Sequence, residues 1–553
     1  MPPRNEWRRS TTLFVPSPQR RLGSRSRRRK PDASLRWHDG ATDSVTAYRP
    51  SRAPAVAALV VLGLALAAGF LPVLRLGLEQ GLAGVDPYVL RVLRFTLLQA
   101  GLSTLLSLSL GLPLARALAR QTCFPGRALL LRLLNLPLAL PAIVVIIGVI
   151  EVYGARGWLG GLFDIYGLQG ILLAHVFFNV PLAARLILSD LERIPAESWK
   201  LGAQLGLGPV AQWRLIEWPQ IKGGVAGAAL LIFLLCASSF AIVLTLGGGP
   251  SATTLEVAIY QSLRADFDPQ RAAMLALIQL ALCATLALLA QRWGGLVPGL
   301  PLLRLGGRRY DGRSLAARLL DGGVILLSLL LLIPPLAALV SAGLTRIDFS
   351  TLLFRALVTS LSLGAASAAL AFAIVWPLGM LAVRSALWRR ITALAVLTSW
   401  IVPPAALATG WFISLIAYSG SVTVAIFLVI AMNALMSLPF VARVLLPALA
   451  QSAEAHDRLC LSLGVEGWAR FRLIELPVMK RAIGLSLVMA LILSLGDLTA
   501  ISLFGTQGFV TLPALIYRQM GSYRFDAAIG TALVLGLLVL AFSTLAERWS
   551  RER

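Results

Sequence analysis

Apolar segments of about 20 residues alternate with short charged loops along most of the chain, and a helix of that length crosses the roughly 30 Å hydrocarbon layer of a bilayer. The pattern predicts an all-α polytopic membrane protein with about twelve transmembrane helices, six on each side of a Gly-, Pro- and Arg-rich loop. The predicted spans cover 54–74, 95–118, 128–150, 168–188, 224–246 and 271–291 in the first half, and 321–345, 356–383, 391–417, 422–446, 482–504 and 527–546 in the second.

The basic residues gather in alternate loops. The loops at 151–167, 247–270 and 418–421 are poor in Arg and Lys, whereas the loops on the other side of the predicted membrane are rich in them. Basic loops remain in the cytoplasm, so both termini are predicted to be cytoplasmic. The predicted organisation is a basic, disordered tail at 1–53, a first six-helix domain at 54–291, a cytoplasmic linker at 292–320 and a second six-helix domain at 321–547.

Composition supports a membrane protein and argues against nucleic-acid binding. Apolar residues make up 57% of the chain and charged residues only 14%, against about a quarter charged in soluble domains. The net charge is +24, but the basic residues are divided among loops and the tail and do not form one face. The tail, with "RRLGSRSRRRK" at 20–30, is predicted to be a disordered extension or, alternatively, a lipid-binding arm. The four cysteines lack paired spacing, so neither a disulfide framework nor a zinc site is expected.

The two halves are related by sequence. "NVPLAARLIL" at 179–188 aligns without gaps on "SLPFVARVLL" at 437–446, and "LGAQLGLGPVAQWRLIEWP" at 201–219 aligns on "LCLSLGVEGWARFRLIELP" at 459–477. Both alignments place the second copy 258 positions after the first, as 201 and 459 show. Each half has an even number of predicted spans, so the repeat is parallel, and a pseudo-twofold axis along the membrane normal follows.

A charged segment is repeated in the loop between the fourth and fifth spans of each half. It begins at a glycine (Gly206 or Gly464), which can end one helix, and it closes at a proline (Pro219 or Pro477), which fits the start of the next. The residues between them predict a short amphipathic helix, presented twice in related orientations. A single copy would be an ordinary interfacial loop helix, but two symmetric copies suit two identical sockets on a soluble homodimer.

These segments resemble the signature of the membrane permeases of binding-protein-dependent ABC importers, G-x9-I-x-L-P. The family carries an acidic residue six positions before the glycine, where this chain has Lys200 and Arg458. That departure argues against a salt bridge from this position, but not against the protrusion itself. The resemblance implies that the two segments are ATPase-coupling loops, with the contributing residues Lys200, Gly206, Trp213, Arg214, Ile216, Glu217 and Pro219, and Arg458, Gly464, Phe471, Arg472, Ile474, Glu475 and Pro477.

From about residue 54 to 546 the chain is similar to the fused, two-domain permeases of thiamine and thiamine pyrophosphate importers, whose two domains are of the MetI-like type. The segments that carry this resemblance include "YGLQGILLAHVFFNVPLAARLIL" at 166–188 and "TLPALIYRQMGSYR" at 511–524. It implies a non-catalytic inner-membrane subunit, a periplasmic thiamine-binding protein and a cytoplasmic ABC ATPase homodimer. ATP and Mg would bind to that partner, and no cofactor to this chain. Fused ferric-iron permeases share the general plan and remain the alternative.

Polar residues at membrane depth are costly and are candidates for function. Asp497 in "LSLGDLTA" either lines the path, where a carboxylate favours the cationic ring of thiamine, or caps a helix. His175 and its repeat counterpart Asn433 favour interhelical hydrogen bonds over substrate contact. The proline pairs in "PLALP" at 137–141 and "WIVPP" at 400–404 predict kinks. The predicted path residues are His175, Asn179, Ser238, Ser239, Asn433, Asp497 and Thr499.

Two other classes of protein were considered. An ion-coupled secondary transporter also has twelve spans in parallel halves, but it would carry coupled charged residues in several helices, and few are found here. An intramembrane enzyme is not supported, because the chain has neither H-E-x-x-H nor G-x-S-x-G. The glycines in "GGGPSATT" at 247–254 are not followed by the Lys-Ser/Thr of a P-loop, so a periplasmic turn is expected there.

Overall fold

The computed structural model describes residues 50–81, 86–161, 164–292, 309, 311, 314–415, 421–506 and 508–551. The predicted tail at 1–53 lies outside the described residues except for 50–53, and the predicted linker at 292–320 lies largely outside them. The described residues form helices joined by turns, without a strand.

The described residues of the first half form twelve α-helices, a 3₁₀-helical turn at Pro250–Ala252 and a π-helical turn at Trp213–Glu217. The α-helices are α1 (Ala53–Gln80), α2 (Pro87–Arg120), α3 (Arg127–Leu133), α4 (Leu136–Ala139), α5 (Ala142–Tyr153), α6 (Leu168–Glu192), α7 (Ala196–Gln204), α8 (Pro209–Gln212), α9 (Trp218–Ala237), α10 (Ala241–Leu246), α11 (Leu255–Arg264) and α12 (Pro269–Arg292).

The described residues of the second half follow the same order, except that one helix takes the place of α3 and α4 and another takes the place of α6 and α7, and a π-helical turn lies at Phe471–Glu475. Its helix α13 begins at Leu315, six residues before the predicted start of the second domain at 321. The α-helices are α13 (Leu315–Thr345), α14 (Thr351–Ala382), α15 (Ala386–Ile401), α16 (Pro404–Ser414), α17 (Val422–Leu463), α18 (Gly467–Arg470), α19 (Leu476–Leu495), α20 (Thr499–Phe504), α21 (Leu512–Gly521) and α22 (Phe525–Arg551).

Ten helices in the described part of the chain are long and apolar enough to cross a membrane, and two bent helix pairs raise the number to twelve. The prediction of an all-α polytopic membrane protein is therefore confirmed. The bent pairs are Arg127–Ala139 with Ala142–Tyr153, at 111°, and Ala386–Ser399 with Pro404–Ser414, at 87°. Both bends fall at the proline pairs identified in the sequence, because a proline within a helix lacks the N–H that would bond to the preceding turn.

The fifth and eleventh spans were predicted as continuous helices over 224–246 and 482–504, and this prediction is wrong. Each span is interrupted for three residues, at 238–240 and 496–498. The interruptions contain Ser, Gly and Asp, whose backbone or side-chain bonding competes with a helix. They are symmetric, since α10 and α20 begin 258 positions apart, at Ala241 and Thr499.

The first helix of each half packs against the other half. Helix α1 lies on α16, where the Trp411 indole Nε1 donates to the Ala65 carbonyl at 2.8 Å. Its backbone approaches α16 so closely at Gly69 that a Cβ on Gly410 would lie 1.6 Å from the Gly69 carbonyl oxygen. Helix α13 lies on α5 in the same manner, with Gly148 against the Pro335 backbone. The two halves are thus interlocked.

Candidate functional site

The predicted coupling loops are residues 196–219 in the first half and 454–477 in the second. The glycine of each loop is in the left-handed region, with φ of 63° at both Gly206 and Gly464. A Cβ at either position would have no atom within 4 Å, so the glycine is required by its backbone conformation and not by crowding. Gly464 closes α17 with its N–H donating to the Leu461 carbonyl at 3.3 Å, a glycine cap of the kind that commonly ends helices.

The segment after each glycine does not form the separate amphipathic helix that the sequence predicts. It runs through the π-helical turn directly into the fifth or eleventh span, and the prolines Pro219 and Pro477 lie in the first turn of α9 and α19. Single π-helical turns often occur at functional sites. Here the turn buries Glu217 and Glu475 and leaves Arg214 and Arg472 exposed. Each coupling loop is therefore rigidly continuous with a membrane span.

The outer surface of each loop presents apolar side chains at equivalent positions. Val210 is 74% exposed and its counterpart Trp468 is 73% exposed, and Leu215 and Leu473 are similarly exposed. Lys200 and Arg458 are exposed as well, while Trp213, Ile216, Phe471 and Ile474 are half-buried toward the protein. Apolar groups grouped on a surface and surrounded by charge are typical of a protein–protein contact.

An ion network supports the second coupling loop from within. The Arg470 guanidinium, with a side chain only 1% exposed, donates to the carboxylates of Glu475 and Asp457. Asp457 also accepts from Arg384 at the end of α14. The acidic residue expected six positions before the glycine is thus present seven positions before it. A salt bridge is formed there, although the sequence comparison argued against one from position 458.

The first coupling loop is supported differently. The fully buried Glu217 carboxylate accepts from Arg116 Nε at 2.7 Å and from Arg309 Nη2 at 2.6 Å. The Arg116 guanidinium lies 4.4 Å from the centre of the Trp213 ring. Burial would raise the pKa of the Asp311 carboxyl, but the hydrogen bond and charge of Arg309 outweigh burial and bring that pKa below its ordinary value. Asp311 is therefore ionised at neutral pH.

Asp497 lies in the interruption before α20. Its carboxylate accepts from the backbone N–H groups of Thr499 and Ala500, each at 3.0 Å, as a helix N-cap does. The residue keeps some exposure, as does Thr499. In the first half Ser238 and Ser239 occupy the equivalent interruption, and the Ser238 hydroxyl donates to the Leu234 carbonyl at 2.7 Å. Both breaks therefore place polar atoms at membrane depth.

His175 and Asn433 make interhelical hydrogen bonds at equivalent positions. His175 Nδ1 lies 2.9 Å from the Ser103 hydroxyl of α2, and Asn433 Nδ2 donates to the Ser494 hydroxyl of α19 at 2.8 Å. Asn179, one turn after His175, lies with its Nδ2 3.2 Å from the Cys236 sulfur of α9. These contacts tie the fourth and tenth spans to their neighbours. A role in contacting substrate stays a prediction.

Sequence reasoning missed one buried carboxylate. Glu256 of α11 is fully buried, and Gln279 of α12 donates to it at 2.6 Å. The equivalent position in the second half is Pro513, in "LPALIY" against "LEVAIY", so this acid belongs to the first half alone. Its signal in the sequence is an acidic residue among Leu, Val, Ala and Ile, the same kind of signal that identifies Asp497.

Comparison with known proteins agrees with this architecture. Residues 376–551 match the family model described as binding-protein-dependent transport system inner membrane component, which defines the class as the membrane component of such a transporter. The thiamine transport system permease protein ThiP of Brucella abortus (strain 2308) is 43% identical over 528 residues, covering 91% of this chain and 96% of that protein.

Two further relatives carry the same name. The Salmonella typhimurium protein is 43% identical over 482 residues, covering 84% of this chain and 89% of its own length. The Haemophilus influenzae protein is 38% identical over 473 residues, covering 82% of this chain and 87% of its own. The chain belongs to the family of thiamine transport system permease proteins.

Proposed function

We propose that this chain forms the translocation path of an ATP-binding-cassette importer for thiamine, thiamine pyrophosphate or both, in the bacterial inner membrane. The observation that carries the proposal is the pair of coupling loops, which repeat a glycine turn, a π-helical turn and an exposed apolar surface 258 positions apart. Membership of the thiamine permease family supplies the substrate.

The partners follow from the symmetry of the loops. Two equivalent protrusions on one face of the chain fit a cytoplasmic ATPase homodimer, one protrusion to each subunit. A periplasmic thiamine-binding protein would deliver the vitamin to the opposite face. ATP and Mg would bind to the ATPase, so that this chain acts as a non-catalytic subunit with no cofactor of its own.

Coupling would operate through the continuity of each loop with a span. Closure of the ATPase pair on ATP would move the two loops toward each other, and the helix that continues from the π-helical turn would transmit this motion to α9 and α19. The interruptions at 238–240 and 496–498 would absorb the change in direction. The result is alternating access, in which one half rocks against the other around a central path.

The path would be lined by polar residues near these interruptions. The Asp497 carboxylate would favour the cationic ring of thiamine, and Ser238, Ser239 and Thr499 lie at equivalent or adjacent positions. His175, Asn179 and Asn433 complete the proposed lining from the fourth and tenth spans. A charged side chain within the membrane has a high desolvation cost, which must be offset by pairing with another group or by interaction with a ligand.

Cysteine labelling tests the orientation and the partner together. Val210→Cys and Trp468→Cys should be introduced with Cys123→Ser, since Cys123 is the exposed native cysteine among the described residues. We expect a membrane-impermeant maleimide to label both positions only from the cytoplasmic side, and a bifunctional reagent to link both to the ATPase. Labelling from the periplasm, or failure of both positions to crosslink, would disprove the coupling loops.

Uptake in cells that lack this chain tests the substrate. Labelled thiamine should no longer accumulate, while ferric iron uptake should continue unchanged. Loss of iron uptake alone would overturn the proposed substrate and favour a ferric-iron permease. Thiamine transport that persists in vesicles without ATP and without an ATPase would favour an ion-coupled transporter.

A further inference from the structure

The segment between the two halves contributes a side chain to the first coupling loop. Arg309 is only 8% exposed, and its Nη2 donates to Glu217 at 2.6 Å and to Asp311 at 2.8 Å. Its guanidinium also lies 3.9 Å from the centre of the Trp199 ring. A planar guanidinium can bridge two carboxylates while stacking on an aromatic ring, so Arg309 holds three elements of the loop region at once.

The repeat shows what Arg309 replaces. In the second half Arg470 joins Glu475 to Asp457. The offset of 258 that aligns the two coupling loops places Gln212 opposite Arg470 and Trp199 opposite Asp457. The first loop therefore has the buried glutamate, but neither the arginine nor the aspartate of its counterpart. Arg309 and Asp311 supply both missing charges.

A second contact attaches the same region to the first half. Arg120 at the end of α2 pairs with Asp321 of α13, and Gln121 Nε2 donates to the same carboxylate at 2.9 Å. Helices α2 and α14 begin 264 positions apart, at Pro87 and Thr351, and this offset makes Arg384 the counterpart of Arg120. Arg384 pairs with Asp457 in the second half. In the second half Asp457 pairs with both arginines. The first half has Trp199 at that position, and its two acidic partners are instead Asp311 and Asp321.

We propose that Arg309 is a positioning residue of the first coupling loop, and that Arg309 and Asp311, together with Asp321, attach this loop and the end of α2 to the start of the second half. The inference rests on the proposed function, because it assigns a role within ATPase coupling. Glu217 is completely buried, and a buried charge that loses a partner disfavours the conformation that buries it. Without Arg309, Glu217 retains Arg116, and the outer surface of the first loop loses its fixed orientation toward the ATPase.

Crosslinking to the ATPase, measured separately for the first and the second coupling loop, tests this proposal. The full chain would be reconstituted with its ATPase in proteoliposomes, carrying either Val210→Cys or Trp468→Cys. Couplings between sites are typically worth about 5- to 150-fold, so we expect Arg309→Ala to lower the yield from position 210 by about fivefold or more. The yield from position 468 should not change. Thiamine transported per ATP hydrolysed should fall while ATP hydrolysis continues, a change that loss of folded protein would not produce.

Two matched variants make the test decisive. Arg318→Ala removes an exposed arginine of α13 and should leave both crosslinks unchanged. Arg309→Ala combined with Gln212→Arg and Trp199→Asp recreates the arrangement of the second half and should restore the yield at position 210. An equal loss at both positions, or no loss at either, would overturn the proposal. The crosslink requires no substrate. If Arg309→Ala lowers the yield only at position 210, and the chain with Arg309 intact does not transport thiamine, the role of Arg309 is supported and the proposed substrate is refuted.

Discussion

Arg384 and Asp457 form a two-pronged ion pair, in which guanidinium Nε and Nη2 each lie 2.8 Å from a carboxylate oxygen. The pair joins the carboxyl-terminal end of α14 to the extension of α17 that leads into the second coupling loop. Arg470 of the same loop reaches the same carboxylate. This network therefore connects the second coupling loop to α14, in addition to α17 and α19, with which the loop is continuous.

Asp457→Asn should uncouple this connection. The variant keeps the size of the side chain but leaves Arg384 and Arg470 buried without the shared negative charge, and breaking a buried ion pair costs about 3–5 kcal/mol. We expect a lower Tm in detergent and less thiamine transported per ATP. Glu454→Gln, an exposed carboxylate one turn earlier on α17, is the control and should shift neither quantity. Equal effects of the two variants would refute the network.

Substitution of Gly464 should act through the backbone alone. Because its φ is 63° and a Cβ would meet no atom within 4 Å, Gly464→Ala should cost about 1–2 kcal/mol, the penalty of an L-residue in the left-handed region. Gly464→Asn should cost less, since Asn tolerates this region. Thermal unfolding checks the order. Gly223→Ala, within α9 and equally uncrowded, should be neutral or stabilising; a loss as large as that of Gly464→Ala would contradict the argument.

The substitution Asp497→Asn distinguishes the helix-capping role of this residue from its proposed role in the translocation path. Asparagine is also a good N-cap, but its single side-chain oxygen can accept from only one of the two N–H groups that the two carboxylate oxygens accept from. The Tm should therefore fall slightly, whereas the negative charge is removed. We expect reduced uptake of labelled thiamine and altered preference between thiamine and thiamine pyrophosphate. Unchanged uptake and unchanged preference at normal expression would show that Asp497 acts only as the cap of α20.

The contact between α1 and α16 should not tolerate a single added methyl group. A Cβ at Gly410 would lie 1.6 Å from the Gly69 carbonyl oxygen, so Gly410→Ala must push the helices apart at a cost of about 1–3 kcal/mol or more. The Trp411–Ala65 hydrogen bond next to it would be lost as well. Thermal unfolding of the purified chain measures the effect. Gly323→Ala, on an open face of α13, provides the comparison, and a similar loss there would argue against close packing.

Features encoded locally could be predicted from the sequence. The spans follow from apolar length, the bends from the proline pairs, and the turns at Gly206 and Gly464 from the repeat. Features that depend on distant contacts could not. The packing of α1 and α13 against the opposite halves depends on the contacts of Gly69 with Gly410 and of Gly148 with Pro335. Arg309 was assigned to a linker because its partner Glu217 is 92 positions away.

The π-helical turns and the interruptions at 238–240 and 496–498 illustrate a second limit. The π-helical turns occur in segments whose composition suits a regular helix, and the interruptions occur within long apolar spans. Both are stabilised by particular side-chain partners. The π-helical turn of the first half brings Glu217 to Arg116, 101 positions away, and the second interruption is closed by Asp497 on α20. A hydrophobic pattern specifies that a helix crosses the membrane, but not where its ladder of hydrogen bonds is broken.

The packing of α1 against α16 of the other half also determines when, during synthesis of the chain, this contact can form. Ala65 of α1 and its partner Trp411 are separated by 346 positions, and a ribosome adding about 5–20 residues per second needs roughly 17–70 s to make that length. During this interval α1 can pack against α12 of its own half, but the face that later meets α16 has no partner. The amino-terminal half is consequently inserted into the membrane well before α1 can pack against α16, which is synthesised later.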